Sequence, residues 1–282
     1  MLKIGFIDYY LDEWHANNYP AWIKEQSGGE MEVAYAYGHI DSPIGGMTTN
    51  AWCEKYGIQR CATIEELIEK SDRLIVLSPD NCEMHEELCR LPMSSGKLTY
   101  VDKTFAPDYP AAKRIFDAAQ QGGTPCYSTS ALRFAEEYAD VDPAGVCAVN
   151  CWGPSGFETY SIHQLEPLMM LMKAPARRVM YLPGEGWYSL MVEFADGRFG
   201  SISGYDGGSP FLTNIALKNG SRLIEVKSDF FQPFIANLVD FFRTGEPKVP
   251  AQETLMIMAV RGAGLLAQQH PGEWVEVEAV SD

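Results

Sequence analysis

The sequence predicts an α/β protein of two domains: a doubly wound parallel sheet over residues 1–128, then an α+β domain with a largely antiparallel, open-faced sheet over residues 129–282. In the first half, short apolar segments alternate with helical segments, as they do where helices connect buried parallel strands. In the second half, longer strand segments flank turn residues, which is typical of antiparallel hairpins. A chain of 282 residues is a usual length for two domains.

Local signals mark the ends of the elements in the first half. Thr63 and Glu66 form a capping box that opens a helix, and Gly122-Gly123 closes a later one. The signals predict strands over 2–8, 31–37, 74–77, 98–102 and 124–128, and helices over 17–26, 63–70, 83–89 and 110–120.

Turn residues divide the second half. Ala195-Asp196-Gly197 and Asn219-Gly220 each lie between two strand segments, so each predicts a β-hairpin. Two helical segments follow the second hairpin, and a short strand comes last. The predicted strands cover 146–152, 189–194, 198–203, 212–218, 222–227 and 274–279, and the predicted helices cover 163–172, 233–243 and 252–268.

The charge balance argues against polyanionic partners. Asp and Glu number 38 against 22 Lys and Arg, and the resulting net charge of −16 repels nucleic acids and anionic lipid surfaces. No apolar run approaches the ~20 residues of a membrane span. The first residues read as a strand rather than a secretion signal, and seven cysteines without a Cys-x-x-Cys pair fit free thiols in a reducing compartment. We therefore expect a cytoplasmic protein with no nucleic-acid partner, no membrane partner and no metal site.

Two polar residues lie at positions where a catalytic side chain is expected. Lys103 directly follows the fourth strand, and ligands of an open parallel sheet bind outside the carboxyl ends of its strands. His163 opens the first helix of the second domain. A surface lysine at a strand end and a partly buried capping histidine are the plainer interpretations of the same two side chains.

The surroundings of these residues resemble the glucose–fructose oxidoreductase and inositol dehydrogenase family (Gfo/Idh/MocA). Val101-Asp102-Lys103-Thr104-Phe105-Ala106 is similar to the family's Glu-Lys-Pro stretch, and His163-Gln164-Leu165-Glu166 is similar to its His-x-x-Asp element. The C-terminal run from Phe234 through Gly245-Glu246-Pro247 to Gly272-Glu273-Trp274 also follows the family's pattern. The resemblance covers most of the chain.

The resemblance implies a Rossmann-like domain followed by an open-faced α/β domain. It also implies oxidation or reduction of a sugar or polyol hydroxyl with NAD or NADP, in which Lys103 and His163 serve as catalytic acid and base. We expect a homo-oligomer, a dimer or tetramer, with the sheet of residues 186–228 at the interface. The predicted cofactor-binding residues are Ile7, Asp8, Ser78 and Asp102, and the predicted substrate-binding residues are Trp152, Tyr160 and Glu166, with Trp187 a further sugar-stacking candidate.

The turn after the first strand departs from the dinucleotide-binding pattern. The glycines of G-x-G-x-x-G let a pyrophosphate approach the N-terminus of the first helix, whereas Asp8 and Tyr10 stand at the first two glycine positions here. Asp12 and Glu13 add negative charge, and no carboxylate follows the second strand until Asp41. We expect Tyr10 to crowd a pyrophosphate and the carboxylates to repel it.

Three functions stay open at this level. The first is an oxidoreductase with an unusual mode of cofactor binding. The second is a cofactor-free or metal-dependent sugar isomerase, epimerase or lyase that uses Lys103, His163 and Glu166 for proton transfer. The third is a non-catalytic sugar-binding or regulatory protein on the same fold. His15 and His39, which lie near the expected cofactor site, are interpreted as solvated loop residues.

Overall fold

Two β-sheets organise the chain, and each belongs to one of two structural units. The computed structural model describes residues 1–280. Unit 1 comprises Met1–Thr129 together with Gln232–Ala251, and unit 2 comprises Ser130–Phe231 together with the chain from Gln252 onward. The segment 232–251, which the sequence prediction assigns to the C-terminal domain, therefore belongs to the unit that carries the parallel sheet.

The strands and helices follow one another as the sequence predicts, with three additions. The additions are α2, β3 and β8. In chain order the elements are β1 (Leu2–Asp8), α1 (Trp14–Gln26), β2 (Met31–Gly38), α2 (Thr49–Tyr56), β3 (Gln59–Arg60), α3 (Ile64–Lys70), β4 (Arg73–Val76), α4 (His85–Cys89), β5 (Thr99–Val101), α5 (Tyr109–Gly122), β6 (Cys126–Tyr127), β7 (Val146–Pro154), α6 (Phe157–Met172), β8 (Ala176–Gly184), β9 (Trp187–Phe194), β10 (Phe199–Tyr205), β11 (Leu212–Leu217), β12 (Gly220–Glu225), α7 (Phe231–Thr244), α8 (Ala251–Ala267) and β13 (Trp274–Glu276).

The sheet of unit 1 is wholly parallel, as predicted. Its strand order is β3-β2-β1-β4-β5-β6. Strands β2 and β3 therefore lie on one side of β1, and β4 to β6 lie on the other side. The reversal lies between β1 and β4, and the carboxyl ends of neighbouring strands there form the usual ligand crevice of such sheets. The predicted doubly wound class is confirmed.

Helix α7 packs into unit 1 because one of its faces is continuously apolar. Phe234, Leu238, Phe241 and Phe242 are all fully buried. They recur at the three- and four-residue spacing that places side chains on one helix face. The Phe234 ring lies 5.5 Å from the ring of Tyr100 in β5, measured between centroids.

The sheet of unit 2 has seven strands in the order β12-β11-β7-β10-β9-β8-β13. Only β7 and β10 pair in parallel, and the other neighbours are antiparallel, which confirms the largely antiparallel sheet. Helix α6 packs across β7 and β10. Gly200 permits this close packing, because a Cβ atom there would lie 2.6 Å from the Leu168 side chain.

The other face of this sheet is not covered by a helix of unit 2. Trp152, Trp187 and Phe199 are between 42% and 45% exposed, and Leu223 is 70% exposed. The predicted oligomer interface over 186–228 falls on these strands and stays a prediction.

Three chemical features of the described residues bear on function. All seven cysteines are free thiols. Among residues 1–280, no group of three or more His, Cys, Asp or Glu side chains is arranged to hold a metal ion. No helix in that range is long and apolar enough to cross a membrane.

Candidate functional site

The turn between β1 and α1 carries the departures noted in the sequence. Helix α1 begins at Trp14, three residues before the predicted start, because Glu13 caps it. The Glu13 side chain accepts hydrogen bonds from the backbone N–H of His15, at 2.7 Å, and from that of Ala16. The first-turn amides, which would otherwise lack partners, are thus bound by a carboxylate of the chain itself. Glu13 is only 7% exposed.

A histidine joins this carboxylate to the end of β5. His15 Nδ1 lies 3.1 Å from Glu13 Oε2 and 3.6 Å from Asp102 Oδ2. The side chain of His15 is only 12% exposed, so the expectation that His15 is a solvated loop residue is wrong. The Asp102 carboxylate also accepts a hydrogen bond from the Tyr100 hydroxyl at 3.1 Å.

Asp8 completes a cluster of three buried carboxyl groups with Glu13 and Asp102. Burial, then the charge of Glu13, then that of Asp102 raise the pKa of Asp8 well above its usual value. The backbone amides of Tyr9 and Tyr10 oppose this rise in pKa. Neither Asp8 oxygen accepts a hydrogen bond of normal geometry from the described residues. The carboxyl of Asp8 is therefore held toward its neutral form.

The remaining acidic residues of this region are engaged in local structure. Asp12 accepts hydrogen bonds from the Asn17 side chain at 3.1 Å and from the Met47 backbone at 2.7 Å. Asp41, the first carboxylate after β2, accepts from the backbone N–H of Thr49 at 2.7 Å. Both carboxylates therefore have partners in the local structure.

Tyr10 occupies the crevice between β1 and β4. It is 6% exposed and lies beside Asp80 of the loop after β4. Burial, and then the charge of Asp80, raise the pKa of the Tyr10 hydroxyl. In the sequence, Tyr10 stands where the dinucleotide fold uses a glycine to leave room for the ligand, and its side chain is buried there.

The predicted cofactor-binding residues lie together at the carboxyl edge of the sheet, but they are inaccessible. Ile7, Asp8, Ser78 and Asp102 are each 2% exposed or less. Ser78 donates its hydroxyl to the carbonyl of Asn81 at 3.0 Å. With Glu13 on the helix amides and Tyr10 in the crevice, this arrangement does not fit the pyrophosphate of a dinucleotide. The cofactor roles of the four residues stay predictions.

Lys103 follows β5 and Asp102, as predicted, and its side chain is half-buried. His85 contacts the segment that carries Lys103. It is fully buried, and its Nδ1 lies 3.0 Å from the Phe105 carbonyl oxygen. Burial first, and to a smaller extent the charge of Lys103, lower the pKa of His85. Lys103 thus lies just beyond the carboxyl end of β5, where a proton-transfer group can be positioned.

Unit 2 supplies the second predicted catalytic residue. His163 lies on α6, within the helix rather than at its start, because α6 begins six residues earlier than predicted. Its Nδ1 lies 2.7 Å from the Ser130 hydroxyl, which orients the imidazole. The Tyr160 ring lies 5.3 Å from the His163 ring, and Tyr160 is 40% exposed. Tyr160 and His163, both predicted as site residues, therefore lie side by side on α6.

Glu166, the third predicted residue on α6, serves a buried ion-pair network. It is 2% exposed, and it accepts from Arg133 Nε at 2.8 Å and from the Ser130 backbone at 3.0 Å. Arg133 also pairs with Glu253 of α8, and Lys173 reaches Glu253 at 3.1 Å. Burial raises the pKa of Glu166 against the opposing pull of Arg133. A substrate role for Glu166 stays a prediction.

The predicted sugar-stacking tryptophans lie away from α6. Val149, Cys151 and Gly153 of β7 are buried, and Gly153 lies against Gln164 of α6. Side chains alternate along a strand, so Trp152 lies on the opposite face of the sheet from α6. Trp187 packs its indole over Gly184 at the β8–β9 turn. Within unit 2, the structure does not bring Trp152 next to His163.

Sequence reasoning missed the roles of three residues, one in unit 1 and two in unit 2. Glu13 was expected only as added negative charge, because glutamate is not a favoured helix-capping residue. Ser130 and Arg133 lie in a segment without periodicity, and their partners are distant in sequence. Only the short spacing of His163 and Glu166 on one helix gave a signal for this part of the site.

The buried Asp8 predicts an unusual pH dependence. Its pKa in the folded chain lies above its pKa in the unfolded chain, so rising pH ionises the unfolded chain first and lowers the stability. Replacing Asp8 with Asn should therefore raise the free energy of unfolding at neutral pH by ~1 kcal/mol, since an amide can donate to its acidic neighbours.

Chemical denaturation of wild type and D8N between acid and neutral pH tests this, with the exposed Asp206→Asn as control. The gain from D8N should shrink as the pH falls toward the usual aspartate range. A loss of stability at neutral pH would contradict the prediction.

Several solved structures share this fold over nearly the whole chain. GenD2 from gentamicin A biosynthesis, in complex with NAD, superposes with a TM-score of 0.80 at 13% identity, covering 99% of this chain and 97% of GenD2. The myo-inositol 2-dehydrogenase from Lactobacillus plantarum gives 0.79 at 11% identity, covering 98% and 99%. The UDP-N-acetylglucosamine 3-dehydrogenase GnnA from Acidithiobacillus ferrooxidans gives 0.76 at 11% identity, covering 94% and 97%.

No protein-family model and no curated protein sequence matches this chain. The structural similarity confirms, at the level of the fold, the predicted likeness to the Gfo/Idh/MocA dehydrogenases. At these identities, function has to be argued from the residues of this chain.

Proposed function

We propose that this protein is an oxidoreductase that acts on the hydroxyl group of a sugar or polyol. The observation that carries the proposal is the full-length structural similarity to dehydrogenases of such substrates, together with a lysine just after β5 and a histidine on α6 in this chain. NAD or NADP is the cofactor that the proposal requires.

The residues of the chain supply proton transfer. Oxidation of an alcohol removes a proton from the hydroxyl, and a lysine amine or an imidazole can accept it. Lys103 stands at the carboxyl end of β5 in unit 1. In unit 2, the Ser130 hydroxyl lies 2.7 Å from His163 Nδ1 and orients the imidazole as a proton-transfer group. Tyr160, beside the imidazole and exposed, offers a ring face for a sugar.

A second candidate function follows from Glu13. Because its carboxylate binds the helix amides that would receive a pyrophosphate, the chain is also a candidate for a sugar-binding protein or a sugar isomerase or lyase that needs no dinucleotide. His163 and Tyr160 serve a sugar equally well in this case, since neither interaction depends on a cofactor.

A thermal-shift titration with NAD, NADH, NADP and NADPH separates the two functions. For the oxidoreductase, one dinucleotide at millimolar concentration should raise Tm, because a ligand at a hundredfold over its Kd stabilises by ~2.7 kcal/mol. Sugars and polyols would then be screened with that dinucleotide for hydride transfer. If none of the four changes Tm while a sugar does, the cofactor-free function replaces the oxidoreductase.

The proposal also includes a cytoplasmic location and assembly as a homo-oligomer. Seven free cysteines are consistent with the reducing cytoplasm. The exposed aromatic residues on the outer face of the unit 2 sheet are consistent with a homo-oligomer.

A further inference from the structure

The first turn of α1 already holds an anion. In dinucleotide-binding sheets, the N–H groups at the start of the helix after the first strand receive the pyrophosphate. In this chain the backbone N–H groups of His15 and Ala16 donate to the two oxygens of the Glu13 side chain. The same donors cannot serve a carboxylate and a phosphate together.

Neighbouring side chains hold Glu13 in this position. His15 contributes its own contact from Nδ1, at 3.1 Å, and its ring is packed between Trp14 at 5.2 Å and Tyr19 at 5.3 Å. Asp102 approaches the same ring nitrogen, with its Oδ2 3.6 Å from Nδ1. The carboxylate is thus fixed both by the helix amides and by a packed histidine, and it is shielded from water.

We infer that the Glu13 carboxylate is an internal competitor for the phosphate groups of a dinucleotide at the N-terminus of α1. The phosphate groups of a dinucleotide can use these amides only when Glu13 leaves them, so this residue lowers the affinity of the site for a dinucleotide. The inference rests on the proposed function, because it concerns the dinucleotide that the oxidoreductase requires. It goes further in naming the residue that controls access to the site.

Two substitutions separate charge from occupancy. Glu13→Gln removes the charge and keeps the size of the side chain. Glu13→Ser removes both and leaves a favoured helix cap, so the helix start stays stable. The control is Glu25→Gln, which removes one negative charge from an exposed position near the other end of the same helix. Tm and circular dichroism check that all four proteins are folded.

The measurement is the Kd for NADH and NADPH by isothermal titration and nicotinamide fluorescence. E13S should bind one of them at least tenfold more tightly than wild type, E13Q should gain part of this, and E25Q should match wild type. Equal affinity of E13S and wild type overturns the inference, whether both bind or neither binds.

The outcomes also separate the inference from the proposed function. Equal and tight binding by all four proteins removes Glu13 as a competitor and leaves the oxidoreductase intact. Tighter dinucleotide binding by E13S with no oxidation of any sugar or polyol supports the inference that Glu13 is a competitor. It contradicts the proposal that the protein is an oxidoreductase.

Discussion

Replacing Arg133 with Met is expected to lower the free energy of unfolding by about 3–5 kcal/mol, since it removes one partner of a buried ion pair. The Arg133 side chain is 9% exposed and bridges Glu166 of α6 and Glu253 of α8. Without the guanidinium, Glu166 loses a charged partner, so its ionised form becomes more costly in this buried position. Chemical denaturation followed by circular dichroism measures the loss.

The matched control is Arg114→Met. Arg114 makes a bidentate ion pair with Glu86, at 2.6 and 2.9 Å, but both side chains are exposed, so its loss should cost far less stability than the loss of Arg133. The double variant R133M/E166Q should recover part of the stability, because the orphaned charge is removed. If R133M is no less stable than R114M, the network does not stabilise unit 2.

The R133M variant should also respond to pH differently from wild type. Burial already raises the pKa of Glu166, and Arg133 is the main group that opposes this. With Arg133 absent, the folded-state pKa of Glu166 lies further above the unfolded-state value, so the variant should lose stability as the pH rises from the usual glutamate range.

Replacing Lys103 with Met is expected to reduce kcat/KM for a sugar or polyol substrate by at least ~10²-fold, the lower end of what a positioned acid or base contributes. Methionine keeps the length and the apolar stem of the side chain but carries no proton to exchange. Tm should stay close to that of wild type, because Lys103 is only half-buried at a strand end.

The assay follows formation of the reduced dinucleotide with a substrate found in the screen. Lys24→Met, an exposed lysine near the end of α1, is the control and should keep wild-type activity. Where wild type binds the dinucleotide too weakly to assay, both substitutions are made in the E13S background. An unchanged rate in the Lys103 variant would remove this residue from the mechanism.

Signals within short windows of sequence were sufficient for most of the fold. The apolar run 2–8 is β1 residue for residue, and Thr63 caps α3 as predicted, through the backbone N–H of Glu66. Both signals involve neighbours along the chain, so they can be read without tertiary structure. Of the three elements that the sequence did not predict, α2 and β3 are short and lack periodicity, whereas β8 is a full strand of nine residues.

What the sequence by itself determined was therefore the two sheets, their order along the chain, and the placement of Lys103 just after β5 and of His163 on α6. Only the tertiary structure decided which groups meet around them. Arg133 pairs with residues 33 and 120 positions away, and His15 of helix α1 reaches Asp102, which follows β5. Such pairs form because folding brings distant charges into a shielded interior where they must find partners, a requirement that no local pattern encodes. The same requirement places Glu13 on the helix amides, where a dinucleotide fold would otherwise hold phosphate.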